Sequence, residues 1–157
     1  AHNDPSDAFL IADLLRTDRH RFAPWMPDGE LVRQMKAKLN LIDSLTKSIT
    51  AFSNRLQAVL FRYFPLALDL FSDVKTQISL QFLQTFPSPK AAQALSYPDF
   101  AAFCRSHHYT HPERLPEVYA HLSQPAPQPD PVVVSAYEGE TVFLAKLLLD
   151  LVRHKAH

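Results

Sequence analysis

Residues 28–65 read DGELVRQMKAKLNLIDSLTKSITAFSNRLQAVLFRYFP, and the fold turns on how this stretch is taken. Its apolar residues Val32, Met35, Leu39, Ile42, Leu45, Ile49, Phe52, Leu56, Val59, Leu60 and Tyr63 recur in steps of three and four, which marks one face of a helix. Met35, Ile42, Ile49, Leu56 and Tyr63 repeat every seven residues, a seam that two helices can share by winding around each other. At about 1.5 Å per residue the helix would be on the order of 50 Å long, more than a compact domain of this size requires. Asp28 is placed to accept hydrogen bonds from first-turn amides, and Pro65 lacks the N–H that a continuing helix needs. The sequence therefore predicts a helix from near Gly29 to near Phe64. Thr46 and Ser53 stand where the second heptad position would be apolar, so packing on a later helix of the same chain competes with dimerisation.

The remainder supports an all-α fold. Gly29 and Gly139 are the only glycines against 13 prolines, a balance that favours helices punctuated by proline, and no convincing alternating strand pattern occurs. Val132-Val133-Val134 is the lone strand-like run, and it joins a helical pattern. Apolar residues make up 46% of the chain, enough to bury a core. Net charge is +0, so any nucleic-acid surface must come from local clustering of cations. Cys104 is the single cysteine, which excludes an intrachain disulfide. No apolar run is long enough to cross a bilayer, and the first residues lack the basic-then-apolar order of a signal peptide. The cytoplasm is the expected compartment, with no membrane partner.

Toward the N-terminus, Asp4-Pro5-Ser6-Asp7-Ala8 leads into the apolar run Phe9 to Leu15. Asp4 reads as an N-cap, Pro5 as the first helical residue, and Asp7 as a carboxylate at the positive helix end. The same spacing places two carboxylates on one face, where they can share a divalent metal, although two are too few to hold a catalytic metal pair. A basic knot, Arg16 to Arg21, then precedes Phe22-Ala23-Pro24-Trp25. Cations beside aromatics suit a nucleic-acid strand, although such aromatics more often anchor a loop tucked against helices. The solvent side of the long helix carries Arg33, Lys36, Lys38, Lys47, Arg55 and Arg62 against Glu30 and Asp43. Such an excess can lie along a phosphate backbone or simply solvate the face.

The order Asp4-Pro5-Ser6-Asp7-Ala8, Leu14-Leu15-Arg16-Thr17-Asp18, Pro24-Trp25 and a long helix opening Glu30-Leu31-Val32-Arg33 resembles the DEDD transposases of bacterial insertion sequences. These enzymes have a RuvC-like N-terminal domain and are described as bridge-RNA-guided recombinases. The resemblance extends to Arg62-Tyr63-Phe64-Pro65-Leu66-Ala67-Leu68 and Phe86-Pro87-Ser88-Pro89, and is most specific over residues 4 to 35. It implies that Asp4 and Asp7 are the last two of four acidic metal ligands, with magnesium as the metal in the complete enzyme. It also implies that Phe9 to Leu15 closes the RuvC-like domain and that the long helix is a coiled coil. The family's first Asp, its Glu and its serine-bearing C-terminal domain would lie outside these residues. The chain then reads as a middle piece, inactive on its own, of an enzyme that exchanges DNA strands.

Past Pro65 the pattern is one of short capped helices. Leu66 to Phe71 and Val74 to Phe86 read as two, with Ser88-Pro89, Ser96 and Thr110-His111-Pro112 opening three more. Cys104, His107, His108 and His111 carry side chains that zinc prefers, but structural zinc sites favour paired cysteines, and the alternative is a helix ending near Ser106 with histidines at its negative end. Gln124 to Pro131 is a stiff, proline-rich linker. Asp130 caps a last helix that Gly139 could kink. That helix is expected to run back antiparallel to the long one, with Leu144, Leu148 and Leu151 at the seam. The expected organisation is the end of the RuvC-like domain over 1–21, the coiled-coil helix over 28–64, a small helical subdomain over 65–123, the linker over 124–131 and a C-terminal helix over 132–157.

Two functions follow. In the first, the chain is part of a transposase that mobilises an insertion sequence: Asp4 and Asp7 act as catalytic metal ligands, and Arg16, Arg19, Arg21, Arg33, Lys36, Lys38 and Arg55 contact DNA or guide RNA. The coiled coil then joins protomers into a homo-oligomer, a dimer in the simplest case. In the second, the chain is a helical scaffold or adaptor that works by protein–protein association alone.

Overall fold

The computed structural model describes residues 4–21, 26–125 and 128–156, with the Asp4 side chain left aside. Eight α-helices occur in that range and no strand does: α1 Asp4–Thr17, α2 Glu30–Tyr63, α3 Leu66–Asp69, α4 Gln77–Thr85, α5 Pro89–Gln93, α6 Tyr97–Ser106, α7 Leu115–Leu122 and α8 Pro131–Lys155. Contacts divide the chain into two units, residues 1–38 and 39–157. The proline-flanked loop with Phe22, Pro24 and Trp25, and Ala126-Pro127 of the linker, lie outside the described residues.

In the first unit α1 presents Phe9, Leu10, Ile11, Leu14 and Leu15 to solvent, and a 3-10 turn at Arg19–Arg21 follows it. The α2 helix begins here. Asp28 turns its carboxylate to the Lys36 ammonium rather than to a first-turn amide, and the Gly29 carbonyl takes the first helical hydrogen bond, from the Arg33 N–H at 3.0 Å.

The second unit holds the core. From Leu39 on, the heptad seam of α2 passes from exposed to buried: Leu39 and Ile42 face solvent, Leu45 and Ile49 are half-buried, and Leu56 and Leu60 are fully enclosed. The two polar interruptions of the seam are satisfied within the helix. Thr46 Oγ1 donates to the Ile42 carbonyl at 2.7 Å, and buried Ser53 Oγ donates to that of Ile49 at 2.6 Å, so neither hydroxyl is left without a partner.

Pro65 ends α2 as expected, and the short α3 and a turn at Val74-Lys75 carry the chain to α4. The run read as one helix from Val74 begins only at Gln77, because Asp73 makes a turn of its own: its carboxylate takes the Lys75 N–H, and its carbonyl takes the hydroxyls of Thr76 and Ser79. Thr76 then caps α4, Ser88 caps α5 and Ser96 caps α6, each accepting a backbone N–H from three residues on. Thr110 does not cap a helix. Pro112–Arg114 form a 3-10 turn, and α7 starts after it.

Phe82 of α4 sits at the centre of an aromatic cluster, 5.2–6.4 Å from the ring centroids of Phe71, Phe86, Phe100 and Phe103. Rings at these separations, mostly edge to face, add to the burial of their area. The α8 helix runs unbroken through Gly139, and Val132 to Val134 belong to it rather than to a strand. It returns against α2 through Arg55–Glu140, Arg62–Tyr137 and Tyr63–Thr141. Its most extensive packing, however, is on α4. Leu144 and Leu148 are buried as expected, while Leu151 is only half-buried.

Candidate nucleic-acid interface and acidic helix start

Asp4 and Asp7 lie in the first turn of α1, three residues apart. At Asp7 the unsatisfied first-turn amides favour negative charge. Asp7 is half-buried and engaged. The Asp4 side chain falls outside the described residues. Among the described residues no group of three His, Cys, Asp or Glu is placed to hold a metal ion.

The cations expected to meet phosphate are exposed, and most are paired locally. Arg16 reaches Asp13 at 2.8 Å, Arg21 reaches Asp18 at 3.6 Å, Arg33 reaches Glu30 at 2.9 Å, and Lys36 holds Asp28. Exposed pairs of this kind contribute ~0.2–1 kcal/mol, so an incoming phosphate could replace the carboxylate at small cost. Arg19 and Lys38 make no ion pair among the described residues. A helix advances about 100° per residue, so Lys38 lies roughly 160° around α2 from Lys36. Arg33 and Lys36 therefore share a face that Lys38 does not join.

Arg55 is paired across helices rather than locally. Its Nε donates to Glu140 Oε1 at 2.6 Å across α2 and α8, and that hydrogen bond, with the charge behind it, raises the guanidinium pKa further. It is a tertiary tie. Arg62 is held in the same way, donating from Nη1 to Tyr137 Oη at 2.7 Å.

The zinc pattern resolves into a helix end. His107 closes α6, with its Nδ1 2.8 Å from the Phe103 carbonyl. Cys104 is wholly buried, and that burial pushes its thiol up to about 11, so it is neither a ready ligand nor a nucleophile. His107, His108 and His111 instead line a cleft of ≈ 570 Å³ with Tyr109, Gln77 and Arg114. Sequence reasoning missed this gathering, because Gln77 lies thirty residues before His107 and only the fold joins them. The one signal was the density of His and Arg between His107 and Arg114.

The family model for the DEDD transposase of the IS110 group, described as Transposase, matches residues 1–65. Over 107 residues, 68% of this chain and 30% of the relative, the sequence is 27% identical to a protein named as transposase y4uE in Sinorhizobium fredii. It is 30% identical over 69 residues, 44% of this chain and 17% of the relative, to one named as a mini-circle transposase for IS117 in Streptomyces coelicolor. The chain thus spans less than a third of the length of these curated relatives. No solved structure matches it.

Proposed function

We propose that this chain, whose residues 1–65 match the family model for the DEDD transposases of the IS110 group, serves an insertion-sequence transposase as the segment joining the end of a metal-dependent nuclease domain to a helical nucleic-acid-binding and assembly module. The observation that carries this is the family match over residues 1–65, which contains the acidic helix start, the basic turn and the start of α2.

Asp4 and Asp7 are the residues that would ligate a hard divalent cation, magnesium by the family's chemistry. When bound, such an ion polarises phosphoryl oxygens. Two carboxylates do not close a site, so the remaining ligands would have to come from beyond this pair. Arg16, Arg19, Arg21, Arg33, Lys36 and Lys38 are the phosphate contacts, on DNA or on a guide RNA, with surface carboxylates as exchangeable partners. Val32, Met35, Leu39 and Ile42, between 42 and 61% exposed, form the apolar stripe for a second copy of the chain. No helix among the described residues is long and apolar enough to cross a membrane.

The test is binding of the chain to a structured RNA and to duplex DNA by fluorescence anisotropy across a salt series. We expect a Kd on the order of micromolar at low salt that weakens linearly in log salt, with reversal of Arg33 and Lys36 to Glu lowering the slope by about two. A chain that self-associates but binds neither polymer at low salt would instead be a helical scaffold, the reading favoured by the local pairing of its cations.

A further inference from the structure

We propose that the cleft between α3, the α6–α7 connection and α7 holds unpaired nucleotides of a single-stranded nucleic acid, with a backbone phosphate seated on Arg114. The proposal rests on the nucleic-acid reading above and concerns residues other than those of the basic start of α2.

Four observations converge. The first is volume: the cleft encloses ≈ 570 Å³, within the range of small-molecule sites. The second is chemistry. Ser72, Gln77, His108, Tyr109 and Thr110 line it from three segments, and none of their side chains hydrogen-bonds within the described protein. Tyr109 is half-buried, set edge-on to Phe71 at 5.8 Å and to His111 at 6.2 Å. It combines an aromatic ring with a hydroxyl that has no protein partner, which suits the face and edge of a base. Asp69 supplies an acceptor for an exocyclic base amine.

The third observation is backbone. His108 has φ 54°, in the left-handed region, and is the only non-glycine residue among those described with positive φ. It stands at the position after the α6 cap where glycine is usual: its N–H bonds to the Arg105 carbonyl, and the next N–H, of Tyr109, to that of Cys104. A histidine is costlier there than glycine, so its imidazole at the cleft calls for a use.

The fourth observation distinguishes a strand from a free nucleotide. A second hollow of ≈ 440 Å³ adjoins the first and shares Asp69, Leu70, Arg114 and Val118 with it. His121 lines that hollow, and its Nε2 is the one buried side-chain nitrogen or oxygen among the described residues without a partner. Arg114 therefore borders two adjoining hollows, as the phosphate of a dinucleotide step stands between two bases. Its one ion-pair partner among the described residues is Glu117, largely exposed, with Nε···Oε2 3.4 Å, and Glu113 holds His111 at a similar 3.3 Å. Both carboxylates can swing to solvent when a phosphate arrives.

The experiment titrates the full chain with a short mixed-sequence single-stranded RNA, following the histidine imidazole resonances by NMR and affinity by anisotropy. Shifts should appear at His107, His108, His111 and His121 and not at His154. Arg114→Gln, at an exposed site that leaves the core intact, should weaken binding about tenfold and lower the log–log salt slope by about one. Unshifted cleft histidines, with binding abolished only by reversal of Arg33 and Lys36, would overturn the proposal and leave the functional reading standing. Wild-type chain that binds no RNA would overturn both. Saturation of the same resonances by AMP at equal concentration would reassign the cleft to a free nucleotide, and equal displacement of the RNA by polyglutamate would reassign it to an acidic peptide; either result overturns it.

Discussion

Tyr63 is the residue on which the second unit closes. Its hydroxyl donates a hydrogen bond to the Pro87 carbonyl at 2.6 Å and lies 2.8 Å from Thr141 Oγ1, tying α2 to α8 at a point 2% exposed. Burial pushes its pKa from 10.0 up to about 12, and burial likewise pushes Cys104 from 9.0 up to about 11. Both groups are raised in the folded state, so the stability each contributes is complete below its unfolded pKa and is lost as pH climbs through the folded one. We therefore expect urea stability to fall between pH 9 and 12, by at most about 2–3 kcal/mol for Tyr63. Tyr63→Phe should flatten the upper part of that decline while lowering stability near neutrality by about 1 kcal/mol for the lost hydrogen bonds. The same reasoning at His108 runs the other way. His108→Gly relieves a left-handed backbone and should raise the unfolding free energy by about 1 kcal/mol, read from the denaturation midpoint. A neutral or destabilising result would mean that the imidazole contributes to the fold.

At the scale of elements, α2 was the most legible part of the chain and α4 the least. The α2 boundaries follow from its apolar period and from Pro65 beyond its end, both local features, although Asp28, read as its cap, turns to Lys36 instead. The capping residues Ser88, Ser96 and Asp130 were legible for the same reason, since a cap is settled within three residues. The start of α4 was not, because Asp73 draws three local donors into a turn that competes with the helix. Nor did periodicity reveal that this nine-residue helix is the main support of α8. Its centre, Phe82, is 1% exposed among four other rings. Phe82→Ala should cost about 3–5 kcal/mol, seen as an early, still cooperative thermal transition, whereas Phe61→Ala, at a position 72% exposed on α2, should change stability by less than about 0.5 kcal/mol. Comparable losses at the two positions would contradict the placement of the core.

For the whole molecule, every buried residue among those described lies between Ser53 and Leu149, although apolar residues are just as evident in α1 and the start of α2. Hydrogen exchange should follow that division: amides of α4, the C-terminal half of α2 and the middle of α8 should exchange only through global unfolding, while those of α1 exchange within minutes. Slow exchange in α1 that disappears on dilution would identify a second copy as its cover. The sequence by itself determined the helical class, the extent of α2 and α8, most of the caps and the resemblance carried by Asp4-Pro5-Ser6-Asp7-Ala8, because each is written in neighbouring residues, hydrogen-bond reach or a period of three to four. Only the tertiary structure decided that the seam of α2 is open at Val32 and Met35 yet sealed at Leu56, that Arg55 is a tie to Glu140, and that three histidines from a zinc-like pattern meet Gln77 and Arg114 at one cleft. Those outcomes depend on residues brought together from far apart in the chain, and burial, unlike periodicity, is a property of what packs on top.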